Sequence, residues 1–190
     1  MEKQILAPGI VQYENVVDNP MGFIDVLNNG SLWEPGIAAP SRYLKKDGHE
    51  MERLVEVFFL PTREEIQNQE MLFWRNRFVD AIEECEKDYL DYYVVDTVFY
   101  EREWLQFLKY EKGHHFANHI DDVPDSRRTL SGVYYFNDDY CDGQLYFKHF
   151  DLTIKPRPNT YLLFPSNWTY AHSAKKVTCG TKYAMVNFLL

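Results

Sequence analysis

The sequence predicts a mostly β protein with supporting helices in its first half and an antiparallel sandwich or jelly roll in its second. Three observations predict it. From about residue 93 apolar side chains recur at every second position, in Leu105/Phe107, Leu108/Tyr110, Val133/Tyr135, Leu145/Phe147, Leu152/Ile154, Leu162/Phe164 and Ala184/Val186/Phe188. That is the period of a strand. Turn-forming clusters separate these runs, among them Lys112-Gly113, Pro124-Asp125, Asn137-Asp138-Asp139, Asp142-Gly143, Pro165-Ser166-Asn167 and Cys179-Gly180. Upstream, a single long segment carries the three-to-four-residue spacing of an amphipathic helix instead.

Residues 5–17 hold short strand-like apolar runs, and 18–27 read as a short helix opened by Asp18 or Asn19 with Pro20 in its first turn. Residues 28–50, with Gly30, Pro35, Gly36, Pro40 and Gly48, form an irregular stretch, either a lid or an ordinary surface loop. Thr62 to Glu65 spells a capping box, Thr-Arg-Glu-Glu. Behind it Ile66, Phe73, Trp74, Phe78, Ala81, Ile82 and Cys85 fall on one helical face, which predicts a helix of about five or six turns buttressing a sheet. The strand period begins with Val94/Asp96.

A chain of 190 residues suffices for one well-filled core. We therefore expect a single domain over 1–190, with supporting elements in 1–94 and a β core in 95–190. The net charge of −9 and the lack of any Lys/Arg run disfavour nucleic acid as a partner. No apolar run approaches eighteen residues and no signal peptide is recognisable, so no membrane is expected. Cys85, Cys141 and Cys179 are odd in number and share no CxxC spacing. They read as reduced thiols of a cytoplasmic protein.

His119-Ile120-Asp121 is the most suggestive short pattern. On a strand, positions i and i+2 share a face, and an imidazole with a carboxylate suits Fe(II) or Mn(II). A lone HxD arises often by chance, but His172 follows a later strand and turn that an antiparallel barrel can fold back beside it. A zinc-protease reading of His115 and His119 fails because Phe116 stands where the general base belongs. His114, His115 and His149 read as surface or supporting groups.

Lys182 lies on the apolar side of the run Ala184, Val186, Phe188. A lysine there pairs with an acid, faces water at an edge, or anchors the far carboxylate of a dicarboxylic cosubstrate. Tyr110 and Tyr135 end strand-like runs and can pack or hydrogen-bond at a pocket wall; with fourteen tyrosines in the chain, the pattern alone does not choose.

Three segments, LKYEKGHHFANHIDD, SGVYYFNDDYCDGQLYF and TYLLFPSNWTYAHSAKKVTCGTKYAMVNFL, taken in order, resemble the catalytic core of the prolyl 4-hydroxylase-like branch of the 2-oxoglutarate- and Fe(II)-dependent dioxygenases. The resemblance covers roughly residues 95–190. It implies a double-stranded β-helix, with His119, Asp121 and His172 as iron ligands and catalytic residues. Lys182 and Tyr135 would bind the C5 carboxylate of 2-oxoglutarate, Tyr110 would line that pocket, Val133, Leu145 and Val186 would be its walls, and Phe188 would face the iron. The implied reaction consumes O₂ and 2-oxoglutarate, hydroxylates a C–H bond of a prolyl residue in a peptide or protein or of a small molecule, and releases succinate and CO₂. Ascorbate is the accessory reductant it suggests. The chain has Asp142-Gly143-Gln144 where many members have Gly-Gly-Glu. The alternatives are a non-catalytic jelly-roll scaffold and a nucleic-acid demethylase, the latter opposed by Phe188 at the place of that branch's extra arginine.

Overall fold

The computed structural model describes residues 1–35, 53–95, 101–103, 105–122 and 127–190. The loop expected over 28–50 therefore lies largely outside the described residues, as do His49, Asp96 and Pro124-Asp125.

The chain opens with a hairpin, β1 (Glu2–Ala7) and β2 (Ile10–Glu14), followed by α1 (Met21–Asn29). Two-residue strands β3 (Glu34–Pro35) and β4 (Arg53–Leu54) precede β5 (Glu56–Phe59) and α2 (Gln69–Tyr93). The remainder is β: β6 (Gln106–Tyr110), β7 (His115–His119), β8 (Leu130–Tyr135), β9 (Cys141–Asp142), β10 (Leu145–Phe147), β11 (Leu152–Ile154), β12 (Thr160–Pro165), β13 (His172–Ala174), β14 (Val177–Cys179) and β15 (Lys182–Leu189). They build a major sheet in the order β1-β2-β12-β8-β15-β6-β5-β3 and a minor sheet in the order β11-β10-β13-β7-β4, all pairs antiparallel. Two facing sheets of this kind form the double-stranded β-helix, a mostly β jelly roll with supporting helices, as the strand periods predict.

Alternation sorts each central strand between two cores. On β15, Tyr183 and Met185 face the helical layer, while Lys182, Ala184 and Val186 face the space between the sheets. The runs Leu105/Phe107 and Leu108/Tyr110, out of phase with each other, occupy opposite faces of one strand and are all buried. The outer core is aromatic: the Phe78 ring packs on Tyr134 and Phe136 at 5.4 Å each and on Phe107 at 6.0 Å. Burying a side chain of that size contributes about 1.5–3 kcal/mol.

Four local expectations are corrected. Thr62 and Glu65 do pair, the carboxylate accepting from both the Thr62 amide and its hydroxyl at 2.9 Å, but they close an isolated turn. Helix α2 begins later, where the Asn68 side chain accepts from the amides of Glu70 and Met71. It also runs longer, 25 residues, to a left-handed C-cap at Val94, so the expected strand at 94 is helix end. Phe73, expected on the buried face, is 55% exposed. Finally, Cys141 and Cys179 form a disulfide, leaving only Cys85 as a free, buried thiol. Pairing of β9 with β14 sets the two cysteines opposite each other across 38 residues, a cross-strand proximity invisible to spacing rules.

The helical layer is pinned to the major sheet by a buried polar cluster. Glu86 of α2 receives both guanidinium arms of Arg102 (2.7 and 2.6 Å), the Tyr161 hydroxyl (2.9 Å) and the Asn187 amide (2.9 Å). Gly132 on β8 makes room for it: a Cβ there would run into the Tyr161 hydroxyl and the Asn187 side-chain oxygen.

Candidate metal and cosubstrate site

Two strands of the minor sheet bring the histidines together. His119 ends β7, His172 begins β13, and the two are register partners with ring centroids 4.3 Å apart. Each imidazole bonds through Nδ1 to the carbonyl two residues earlier, His119 to Ala117 at 2.9 Å and His172 to Tyr170 at 3.0 Å. Those carbonyls can only accept, so both Nδ1 atoms carry a proton, and Nε2 is the atom each ring turns toward Asp121. Phe116 stacks on His119 at 3.6 Å, and Phe147 and Phe164 flank His172, which fixes the ring planes.

Asp121 is not on the strand, as the i, i+2 reading expected. It lies two residues past the end of β7 and still turns inward, buried, with Oδ1 3.4 Å from His119 Nε2 and Oδ2 3.7 Å from His172 Nε2. Its inward placement comes from backbone bonds beyond the strand, since Asp122 N donates to the Ser166 carbonyl at 3.0 Å. The three donor atoms lie within 4.8 Å of one another, and among the described residues this is the one cluster able to hold a metal ion.

Electrostatics suit that use. Burial alone would raise the Asp121 carboxyl, but the imidazoles of His172 and His119 and the Ser131 hydroxyl hold it well below the usual carboxylate range. Burial pushes His172 down to about 4. At neutral pH the cluster therefore offers a carboxylate and an unprotonated His172, the forms a divalent cation requires. Two imidazoles and one carboxylate leave further coordination positions open, the donor set of non-haem iron enzymes.

The cluster opens into a cavity of about 190 Å³ between the sheets, far above the ~10–15 Å³ one water needs. Lys182 stands in the same cavity, 2% exposed, with Nζ donating to the Gly143 carbonyl at 2.6 Å. Burial pushes its ammonium down to about 7. Tyr110 and Tyr135 present their rings 5.3 and 5.1 Å from Nζ, and Tyr140 lies at 5.9 Å. The Tyr135 hydroxyl is buried and has no hydrogen-bond partner, while burial, with Tyr140 and Tyr110 nearby, holds its pKa well above the ordinary value. A buried cation and an unsatisfied phenol O–H are matched by an incoming carboxylate. All six sequence-expected residues thus border one cavity, with Val133, Leu145, Val186 and Phe188 among its walls.

The sequence reading missed several neighbours. Arg53 and Arg128 also line the cavity; Arg128 is clamped by Glu103 at 2.7 and 2.6 Å and lies 3.7 Å over the Phe188 ring. Ser131 and Ser166 sit behind Asp121. Single arginines and serines carry no spacing signal; only the alternation of β8, which puts Ser131 and Val133 on one face, could have pointed to Ser131.

No curated protein matches the chain in sequence. Solved structures match its fold. A prolyl hydroxylase from Trichoplax adhaerens, in complex with a hypoxia inducible factor oxygen degradation domain peptide fragment, superposes with TM-score 0.76 at 16% identity, covering 96% of this chain and 83% of that one. A viral collagen prolyl hydroxylase from Paramecium Bursaria Chlorella virus-1, in its 2OG complex, gives 0.67 at 16% identity, covering 95% of each chain. A prolyl-4-hydroxylase from Pseudomonas putida gives 0.70 at 13% identity, covering 95% of this chain and 91% of that one. At such identities the likeness is one of fold. A family model described as the 2OG-Fe(II) oxygenase superfamily matches residues 105–190, the stretch that carries all six site residues. Residues 105–190 thus match the 2OG-Fe(II) oxygenase superfamily, the chain has the fold of the prolyl hydroxylases, and the protein is a dioxygenase that uses Fe(II) and 2-oxoglutarate.

Proposed function

We propose that His119, Asp121 and His172 hold the Fe(II), that Lys182 and Tyr135 bind the far carboxylate of 2-oxoglutarate with Tyr110 lining the same pocket, and that the substrate is a prolyl residue in a peptide or protein. The observation that carries this reading is one cavity with a metal-type donor cluster and a buried, acid-seeking lysine. The peptide substrate is supported by the peptide-bound Trichoplax structure. We further propose that residues 1–190 act as one dioxygenase domain, a reading supported by β1 and β2 joining the major sheet and by α2 packing on it.

Once bound, iron would activate O₂, the oxidant, with two electrons from the oxidative decarboxylation of 2-oxoglutarate, so that one oxygen atom enters the C–H bond, the other enters succinate, and CO₂ leaves. The chain's residues supply position and charge. His119 and His172 are locked by their backbone bonds with Nε2 forward, so the donor atoms need no reorganisation. Lys182 supplies the cationic end of the pocket, Tyr135 a neutral donor, and Val133, Leu145 and Val186 line it with apolar surface.

Lys182 makes the proposal testable by proton counting. In the free pocket it titrates near 7, so at pH 8 it is mostly neutral. An arriving carboxylate favours the ammonium and raises its pKa. Binding of 2-oxoglutarate at pH 8 should therefore take up close to one proton, and affinity should fall as pH rises above about 7 but hold steady just below it. Calorimetry of the anaerobic Fe(II) protein in buffers of different ionisation enthalpy measures the uptake. Lys182→Ala should abolish it and weaken 2-oxoglutarate roughly 10- to 100-fold, the scale of one charge-assisted hydrogen bond. Unchanged affinity and uptake in the variant would remove Lys182 from this role. Succinate release that responds to free amino acids but to no proline-containing peptide would overturn the proposed substrate.

A further inference from the structure

Against Asp121 of the metal cluster lies a short line of buried hydroxyls. Ser131 Oγ donates to Asp121 Oδ2 at 2.7 Å and lies 2.8 Å from Ser166 Oγ. Both serines are at most 1% exposed. A hydroxyl has one proton, and that of Ser131 is spent on Asp121. The Ser166 hydroxyl must then donate to Ser131 Oγ, and the line runs in one direction, Ser166 to Ser131 to Asp121. In a buried setting such a chain strengthens each of its members.

Its backbone setting makes it rigid. Ser131 sits on β8, one of the two central strands of the major sheet, paired on both sides, opposite Phe164 of β12 and Phe188 of β15. Ser166 follows β12, its amide bonding the Thr129 carbonyl and its carbonyl accepting from Asp122 N, both at 3.0 Å. Ser166 therefore grips the Asp121 loop twice, once through its backbone and once through its hydroxyl by way of Ser131. It also stands six residues ahead of His172, so it joins the two chain segments that supply the metal donors.

We propose that Ser131 and Ser166 are positioning residues for the metal centre: together they engage Oδ2 of Asp121 and leave Oδ1 as the one oxygen presented to the metal. Without that engagement the carboxylate can rotate or offer both oxygens, and it would then compete for the positions the cosubstrate needs. The inference rests on the assignment of His119, Asp121 and His172 as metal ligands.

Titrating metal-free protein with Co(II) alone, by its visible absorption, tests both layers separately. The wild-type protein should bind one Co(II), and Ser131→Ala should weaken binding roughly 10- to 100-fold and alter the absorption envelope, the scale for loss of a group that orients a ligand. Ser166→Ala should weaken it less, because Ser131 keeps its bond to Asp121. Ser131→Thr, which retains the hydroxyl, should restore most of the affinity. Absence of Co(II) binding by the wild-type protein would overturn the ligand assignment itself. Wild-type binding with equal affinity and spectrum in Ser131→Ala and Ser166→Ala would overturn the positioning role alone, even if both variants melt at lower temperature. Should Ser131→Ala not fold, Ser166→Ala decides: an unchanged affinity and spectrum there sinks the hydroxyl line.

Discussion

Asp121→Ala is expected to empty the metal centre and abolish turnover while the fold persists. The carboxylate is buried, kept ionised by two imidazoles and a hydroxyl, and supplies the only negative charge of the cluster. Removing it leaves two imidazoles, too few donors to retain a divalent cation against dialysis. The loss of Fe(II) affinity should exceed the roughly 10–100-fold typical of disturbing a mere supporting group. Metal content after dialysis, together with circular dichroism, reads this directly. His149→Ala, at an exposed histidine outside the cavity, serves as the matched control and should retain its iron. If Asp121→Ala keeps its metal and only loses thermal stability, then the cluster is packing and the iron assignment fails.

Glu86→Ala should be the most costly substitution outside the site, at about 3–5 kcal/mol, the range for removing one partner of a buried ion pair. The size follows from what is stranded: the Arg102 guanidinium, the Tyr161 hydroxyl and the Asn187 amide all direct donors at this one carboxylate. The Arg102 side chain is only 19% exposed, so water recovers little of the loss. Urea unfolding should show the drop in midpoint, while Phe73→Ala on the outer face of the same helix should change stability by about 0.5 kcal/mol or less. A loss below about 1 kcal/mol for Glu86→Ala would mean that the cluster is hydrated in solution and does not anchor the helix.

Strand identities were legible because alternation is a local property. Val133/Tyr135, Leu162/Phe164 and Ala184/Val186/Phe188 each fall on a strand as the period demands. Lys182 could be placed on the apolar face of its run from its neighbours, although an edge position facing water stayed open. What could not be read depends on pairing between distant segments. The Cys141–Cys179 bond needs β9 against β14, and Ser166 reaches Asp121 only because β12 pairs with β8. Start and stop signals misled for a different reason. Thr62-Arg-Glu-Glu forms its bonds, but Asn68 caps the helix, so a correct local motif is satisfied by a turn that leads nowhere helical. Asp121 kept its expected company with His119 although the strand ends before it, because the Asp122 amide is tethered to Ser166.

The disulfide also changes the shape of the unfolded chain. With Cys141 and Cys179 joined, the denatured polypeptide is a closed ring with two tails, and β10 through β13 lie inside the ring. His172 and Ser166 travel with the ring, whereas His119, Asp121 and Ser131 belong to the amino-terminal tail. For a loop of this length the chain-entropy model assigns about 3–4 kcal/mol to the restriction. Assembly of the metal centre is then the docking of a tail onto a preformed loop, and the search that brings the second histidine beside the first begins from a smaller volume than a linear chain would explore.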